Sequence, residues 1–406
     1  MLDPRTCLPK PESHWPTSAY IHIPFCRRRC FYCDFPISVL GDQQRGETSP
    51  AIAAYVDILC QEIVATPSGP LPLHTVFFGG GTPSLLSVPQ VDQILQALEQ
   101  QFGLASQPEI SMEMDPGTFS LAQMQQLKAL GINRVSLGVQ TFVEELLQAC
   151  GRSHTVSASY DAIAILHSAQ ITNYGLDLIS GLPQQTLEQW QASLEAAIDL
   201  EPTHLSTYDL VVEPQTVFGK NYQPGESPLP TEATTAQMYR LAVAQLRSAG
   251  YDHYEISNYA RPGHACRHNQ VYWQNGPYYG FGMGATSYVH RQRYSRPRTR
   301  KEYSQWVQTL IANNGQLEGD VSSTTDILLE TLMMGLRLAI GVHLTTLEAI
   351  GGLEAVDKIL NCLAPFQAEQ WIELPTYGQG AIRLSDPDGF LFSNIVLTAI
   401  WQALDP

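Results

Sequence analysis

The chain has 406 residues, 44% of them hydrophobic and 15% charged, with a formal net charge of −16 and a pI of about 5.0. That length suits about two domains, and the acidity excludes a broad nucleic-acid surface, which needs clustered Lys and Arg to replace phosphate counterions. No run approaches the roughly 18 apolar residues of a transmembrane helix, so the expectation is a cytoplasmic protein, with peripheral membrane contact left open.

The first 17 residues are rich in Pro and polar side chains and carry no apolar signal core; a flexible tail is expected there, not a secretory leader. From residue 18 to about 250, short apolar runs alternate with helical patterns. "AYIHI" reads as a strand and "AAYVDILCQEIVA" as a helix. Then come "TVFF" and "VPQVDQILQALEQQF", "EISMEM" and "LAQMQQLKAL", "RVSLGVQ" and "SASYDAIAILHSA". "NYGLDLI" with "TLEQWQASLEAAIDL" and "HLSTYDL" with "ATTAQMYRLAVAQLRSAG" complete six strand–helix units. Such alternation builds a parallel sheet covered by helices. Six units are fewer than the eight of a closed barrel, and periodicity alone leaves two choices, an open doubly wound sheet or an incomplete barrel.

The strand ends carry the polar and glycine-rich motifs: "GGGTP" after the second strand, "MDPGT" after the third, "GVQTF" after the fourth and "LDLISGLP" at the fifth. Ligands of parallel α/β proteins sit at that edge. From 251 to 315 the chain is rich in Tyr, Gly, His and Asn and reads as a connecting segment of loops and short strands, followed by a basic stretch, "HRQRYSRPRTRK". Residues 316–406 resume helical patterns and read as a small C-terminal helical domain, with a hairpin around "WIELPTYGQGAIRLS".

Chemistry concentrates in "YIHIPFCRRRCFYCDFP", where Cys26, Cys30 and Cys33 follow the first strand in a C-x3-C-x2-C spacing. Three thiolates leave one iron of a [4Fe–4S] cluster without a protein ligand, and an open position marks a metal that does chemistry. Arg27, Arg28 and Arg29 would offset the cluster's negative charge, and the flanking aromatics would shield it. The competing reading is a zinc loop with His22 as the fourth ligand, although zinc favours four ligands in paired C-x2-C spacing. The other cysteines stand alone and form no disulfide framework in a reducing compartment.

The cysteine loop, with "GGGTP" behind the second strand, resembles the radical S-adenosylmethionine (SAM) superfamily. The resemblance implies an α/β fold, a partial (β/α)6 TIM-like barrel followed by a small, mostly helical C-terminal domain. It also implies a SAM molecule chelated to the open iron. Within the superfamily, "YIHIPFC", "GGGTPS", "MDPGT", "GVQTF" and "LDLISGLPQQT" are similar to the oxygen-independent coproporphyrinogen III dehydrogenases over roughly residues 18 to 400. By motif, one SAM would meet Tyr20, Gly80 and Glu113. A second SAM-like site would use Tyr32, Gly81, Thr82, Gln140, Arg152, Asp177 and Val211. The dehydrogenases carry a fourth cysteine two residues after the third; here that position is Phe35. In this the chain resembles the HemW-type haem chaperones, and "HNQVYW" matches their H-N-x-x-Y-W motif, which implies haem contact at His268. Cys266 and His264 lie close by in sequence and could also reach an iron. The resemblance therefore implies haem and apo-haemoprotein acceptors as partners, with an electron donor for the cluster. The alternative is radical decarboxylation of coproporphyrinogen III, against which Phe35 argues.

Overall fold

The computed structural model describes residues 15–42, 44–316, 319, 321–375 and 380–404. Most of the tail expected at 1–17 lies outside the described residues. Six strands lie side by side, parallel and in chain order: β1 (Ser18–Ile23), β2 (Leu73–Gly80), β3 (Leu104–Met114), β4 (Arg134–Gln140), β5 (Tyr174–Ser180) and β6 (His204–Asp209). The helices between and after them are α1 (Pro50–Ala65), α2 (Val88–Phe102), α3 (Leu121–Ala129), α4 (Val156–Ser168), α5 (Leu187–Asp199) and α6 (Glu232–Ser248). A doubly wound sheet reverses its strand order part-way. This one does not, so the two choices left by periodicity resolve to an incomplete barrel.

Local sequence explains the punctuation. The side chains of Ser49, Ser120, Thr155, Thr186 and Thr231 each accept a hydrogen bond from the first turn of the helix they cap. Each such cap stabilises its helix by about 1 kcal/mol. At α5 the box is closed, since the Thr186 N–H donates to Gln189 Oε1. On the strands, Ile21, Val76, Phe78, Met112, Val135 and Leu176 face outward into one core with Ile52, Leu59, Ile94 and Leu98 of the helices. Burying each such aliphatic side chain is worth about 1.5–3 kcal/mol.

The alternate residues face the barrel interior, and many are polar: Ser111, Arg134, Ser136, His204 and Ser206 are all buried. Three strands beyond residue 250 extend the sheet. β7 (Asp252–Glu255) and β8 (Asn258–Ala260) add antiparallel beyond β6, and β9 (Tyr279–Phe281) adds parallel beside β1. The sheet order is β9-β1-β2-β3-β4-β5-β6-β8-β7, so the barrel stays open between β9 and β7.

"HNQVYW", read from sequence as part of a loop-and-strand segment, is instead the body of a helix, α7 (Arg267–Trp273). It packs against the N-terminal half of the barrel. The backbone N–H groups of Arg267 and His268 donate to the Glu109 carboxylate at 3.1 and 2.9 Å, the stabilising placement of an anion at a helix start.

After α8 (Arg300–Ala312), a second core forms around α9 (Thr324–Gly335), α10 (Leu344–Ala368) and α11 (Ser393–Leu404). Helix α10 breaks at Gly352, whose φ of 76° lies in the left-handed region. The expected hairpin is present as Ile372–Glu373 against Ala381–Leu384; residues 376–379 between them lie outside the described residues.

Candidate functional site

The cysteine loop leaves β1 at the C-terminal edge of the barrel and is held there from several sides. Gly81 N–H donates to Ile23 O and Thr82 N–H to Phe25 O, at 2.9 and 2.8 Å. Phe31 N–H donates to Cys150 O, and Phe31 O accepts from Phe218 N–H. The glycines of "GGGTP" serve this docking: Gly80 has φ +112°, and a Cβ on Gly81 would meet Phe25 O at 2.7 Å and Cys26 Sγ at 3.0 Å. The missing side chains are thus used by the protein itself, which lets this turn lie against the cysteine loop.

The three arginines organise the loop. Arg29 donates to the carbonyls of Cys33, Phe35 and Ile37. Arg27 donates to Gly117 O, and Arg28 pairs with Asp42 at 2.7 Å on the surface.

One cavity of about 660 Å³ opens over the strand ends. Cys26, Cys30 and Cys33 line it together with Tyr32, Gly80, Gly81, Thr82, Glu113, Gln140, Arg152, Asp177 and Val211. The sequence motifs therefore converge, although they span almost 190 residues. Gln140 holds a φ of 69° at an irregularity in the β4–β5 register, a strained backbone of the kind found at ligand sites.

Two residues named from sequence do not line the cavity. Tyr20 lies on β1 within the barrel, its hydroxyl 3.1 Å from His22 Nδ1 and its ring stacked on Phe77. His268 is fully buried against the barrel's lower half. Its Nδ1 is 2.8 Å from Thr75 Oγ1, its Nε2 2.7 Å from Tyr272 Oη, and its ring stacks on Phe77. Burial lowers its pKa to about 3, so the ring is neutral. Ligation of an iron by either ring nitrogen would displace the hydrogen bond which that nitrogen makes. Cys266 is buried beside Glu109, and His264 faces Asn173.

Several residues the sequence reading passed over complete the wall. Asp115 accepts from Thr82 Oγ1 at 3.0 Å and pairs with Arg152 at 2.6 Å. Its signal was present in "MDPGT". Tyr208 and Asp209 also line the cavity, as does Arg298, which belongs to the basic stretch "HRQRYSRPRTRK" noted in the sequence and is brought here from a distant segment. Arg152 gathers the site: besides Asp115 it reaches Gly138 O at 2.9 Å, Tyr32 Oη at 3.4 Å and Cys30 Sγ at 3.5 Å.

The floor of the cavity is acidic. Burial pushes the Glu113 carboxyl up to about 8, the charge of Asp177 adds to the shift, and the Gly80 N–H donating to Glu113 opposes it. Burial likewise raises Asp177, held back by the hydroxyls of Ser206 and Ser136. Such a floor gains most from a cationic ligand.

The Radical SAM superfamily model matches residues 20–197. The heme chaperone HemW of Synechocystis sp. is 47% identical over 96% of this chain and 97% of that protein. HemW of Bacillus subtilis is 36% identical over 80% of this chain and 84% of that protein. The chain belongs to the HemW haem chaperone family of the radical SAM superfamily. The solved coproporphyrinogen III oxidase HemN of Escherichia coli superposes with a TM-score of 0.77, covering 96% of this chain and 90% of that one at 24% identity, a likeness of fold.

The superfamily implies a [4Fe–4S] cluster and SAM, and the residues present fit both. Burial raises the Cys26 thiol to about 12 and raises Cys33, so a metal entering here displaces protons. Among the described residues no three His, Cys, Asp or Glu side chains converge as a single ion requires. A cubane makes a different demand, since each thiolate binds its own iron. His22 offers no fourth zinc ligand: Tyr20 and the Pro36 carbonyl occupy its two ring nitrogens. For SAM, the cavity offers acids for the cationic groups and Arg152 for a carboxylate. Among the described residues no helix is long and apolar enough to cross a membrane.

Proposed function

We propose that this chain is a haem chaperone, binding haem and passing it to partner haemoproteins, with a SAM-chelated [4Fe–4S] cluster in a supporting role. The observation that carries the reading is Phe35. It stands where the dehydrogenases place a fourth cysteine, in a chain 47% identical along nearly its whole length to a protein named as a heme chaperone. Cys26, Cys30 and Cys33 hold the cluster. Glu113 and Asp177 take the cationic part of SAM, the Gly80–Thr82 turn walls it, and Arg152 with Gln140 orients its polar end. When bound, the reduced cluster supplies one electron to SAM. The protein's part is to position and to exclude water: Tyr32, packed toward Phe218, closes one side of the thiolate loop, and Arg152 lies over Cys30, where an N–H···S contact tunes a cluster's potential. Partners under this reading are apo-haemoprotein acceptors and an electron donor, met in the cytoplasm.

The test is transfer. Haem-loaded protein mixed with an apo-haemoprotein should give the recipient's spectrum at a rate exceeding release to a passive scavenger. Equal rates would mean that the chain holds haem without delivering it.

A further inference from the structure

We propose that the outer face of the cysteine loop is the docking surface for the electron donor, and that this donor is a small acidic one-electron carrier protein. The proposal rests on the cluster assigned above to Cys26, Cys30 and Cys33. The donor loses one electron, the cluster gains it, and no atom is exchanged.

Charge argues first. The end of the basic stretch "HRQRYSRPRTRK" folds back onto the cysteine loop. Arg298 donates to Asp34 O at 2.9 Å, and the Gly284 backbone lies against Pro36 with no room for a Cβ. Two segments distant in sequence thus share one face. Residues 26–48 hold Arg27, Arg28, Arg29 and Arg45 against Asp34, Asp42 and Glu47. Residues 297–301 add Arg298, Arg300 and Lys301 and no acid. That makes seven cations to three acids in a chain whose totals run 23 to 39. All seven except the half-buried Arg27 are exposed, and Asp42 and Asp34 offset only Arg28 and Arg298. Clustered cations on an otherwise acidic molecule steer an anionic partner to this face.

Helix α8 carries a second sign. Arg300 and Lys301 are its first two residues, where the helix dipole disfavours cations. Stability alone would place acids there.

Position argues third. Phe35 is 59% exposed and Val39 56%. Phe35 follows Cys33 by two residues, and Val39 lies in register with Cys26 in the short ladder of Phe25–Cys26 with Ser38–Val39. The cover beside two of the three thiols is therefore apolar, exposed and flanked by arginines. An apolar centre with a polar rim is the anatomy of an interface, and so small a centre suits the weak encounters of electron transfer. Transfer weakens steeply with distance, so a donor gains by docking close to the thiols. An anionic membrane would meet the same cations, but it has no electron to give.

The experiment mixes reduced plant-type ferredoxin, an acidic [2Fe–2S] carrier, with the full chain, cluster reconstituted, in an anaerobic stopped flow. Visible absorbance of the cluster follows the electron. The wild-type rate should fall as salt rises. Arg45→Glu with Arg300→Glu and Lys301→Glu should slow it about tenfold or more at low salt and abolish that fall. Glutamate at the first two positions of α8 suits the dipole, so this variant should melt no lower than wild type, with iron and sulfide unchanged. Val39→Asp should slow ferredoxin as well. Photoreduced deazaflavin, too small to need a docking face, should reduce every variant at the wild-type rate. Lys358→Glu, on α10, should leave the ferredoxin rate within about twofold. Equal ferredoxin rates in wild type and the triple variant overturn the proposal; if that variant has also lost binding to phosphatidylglycerol vesicles, the face serves a membrane instead. Protein that holds no cluster overturns the cluster assignment and this proposal with it. Protein reduced as expected that binds no haem overturns only the chaperone reading.

Discussion

At the scale of single residues, the acids on the cavity floor give the sharpest expectations. Folded apo-protein favours the neutral form of Glu113, whose carboxyl titrates at about 8 against 4.5 as the ordinary value. Unfolded chain binds fewer protons between those values, so stability falls as pH rises from about 5 to 8 and levels off above. Glu113→Gln removes that contribution, so its melting temperature should decline less over this window than wild type's. Parallel declines would show that Glu113 ionises as an ordinary carboxylate. Arg152 carries the opposite charge, and its side chain is only 8% exposed. Arg152→Met leaves Asp115 without its partner and should cost about 3 kcal/mol of stability, with SAM binding weakened as well; equilibrium dialysis and thermal melts measure the two. Cys26→Ala, Cys30→Ala and Cys33→Ala should each lose the cluster, read as iron and sulfide content. Intact cluster in all three would refute the ligand assignment.

At the scale of elements, the barrel's floor departs most from its sequence reading. Six strands and their helices were legible because each strand is a short apolar run and each helix has its own period and cap. Helix α7 was hidden. Its seven residues are too few for a periodic signal, and neighbouring Gly, Tyr and His point to loop. What makes it a helix is tertiary: Glu109 on β3 accepts from its first N–H groups, and His268 bonds Tyr272 one turn on. The same contacts decide where the motif's histidine goes, which no spacing rule could foresee. His268→Ala leaves Thr75 and Tyr272 without their partner and opens a cavity against Phe77. A loss of about 2–4 kcal/mol is expected, measured by denaturant melts. A loss under about 0.5 kcal/mol, the range of ordinary surface changes, would show that the ring is free.

At the scale of the whole molecule, the barrel and the C-terminal core are joined by polar ties. Asp386 receives His253 Nδ1 at 2.7 Å and pairs with Arg247, while Arg240 pairs with Asp388 at 2.8 Å. Asp386→Asn should loosen this junction and split one melting transition toward two in calorimetry; a single unshifted transition would show that apolar packing alone holds the cores together. Nothing in the local sequence announces these pairs, because charge partners more than 130 residues apart are chosen by the fold. The convergence of the strand-end motifs is different. It follows from the parallel topology, which brings every strand's C-terminal end to one edge, so most of the cavity wall was legible before the structure.

Haem handling and porphyrinogen decarboxylation by this radical SAM barrel are separated by one paired assay. The direct measurement gives anaerobic, cluster-reconstituted protein haem in one cell and coproporphyrinogen III with SAM and reductant in another. A haem chaperone should give a shifted Soret band saturating with haem and no decarboxylated product. Product formation without haem binding would overturn the chaperone reading in favour of the dehydrogenase.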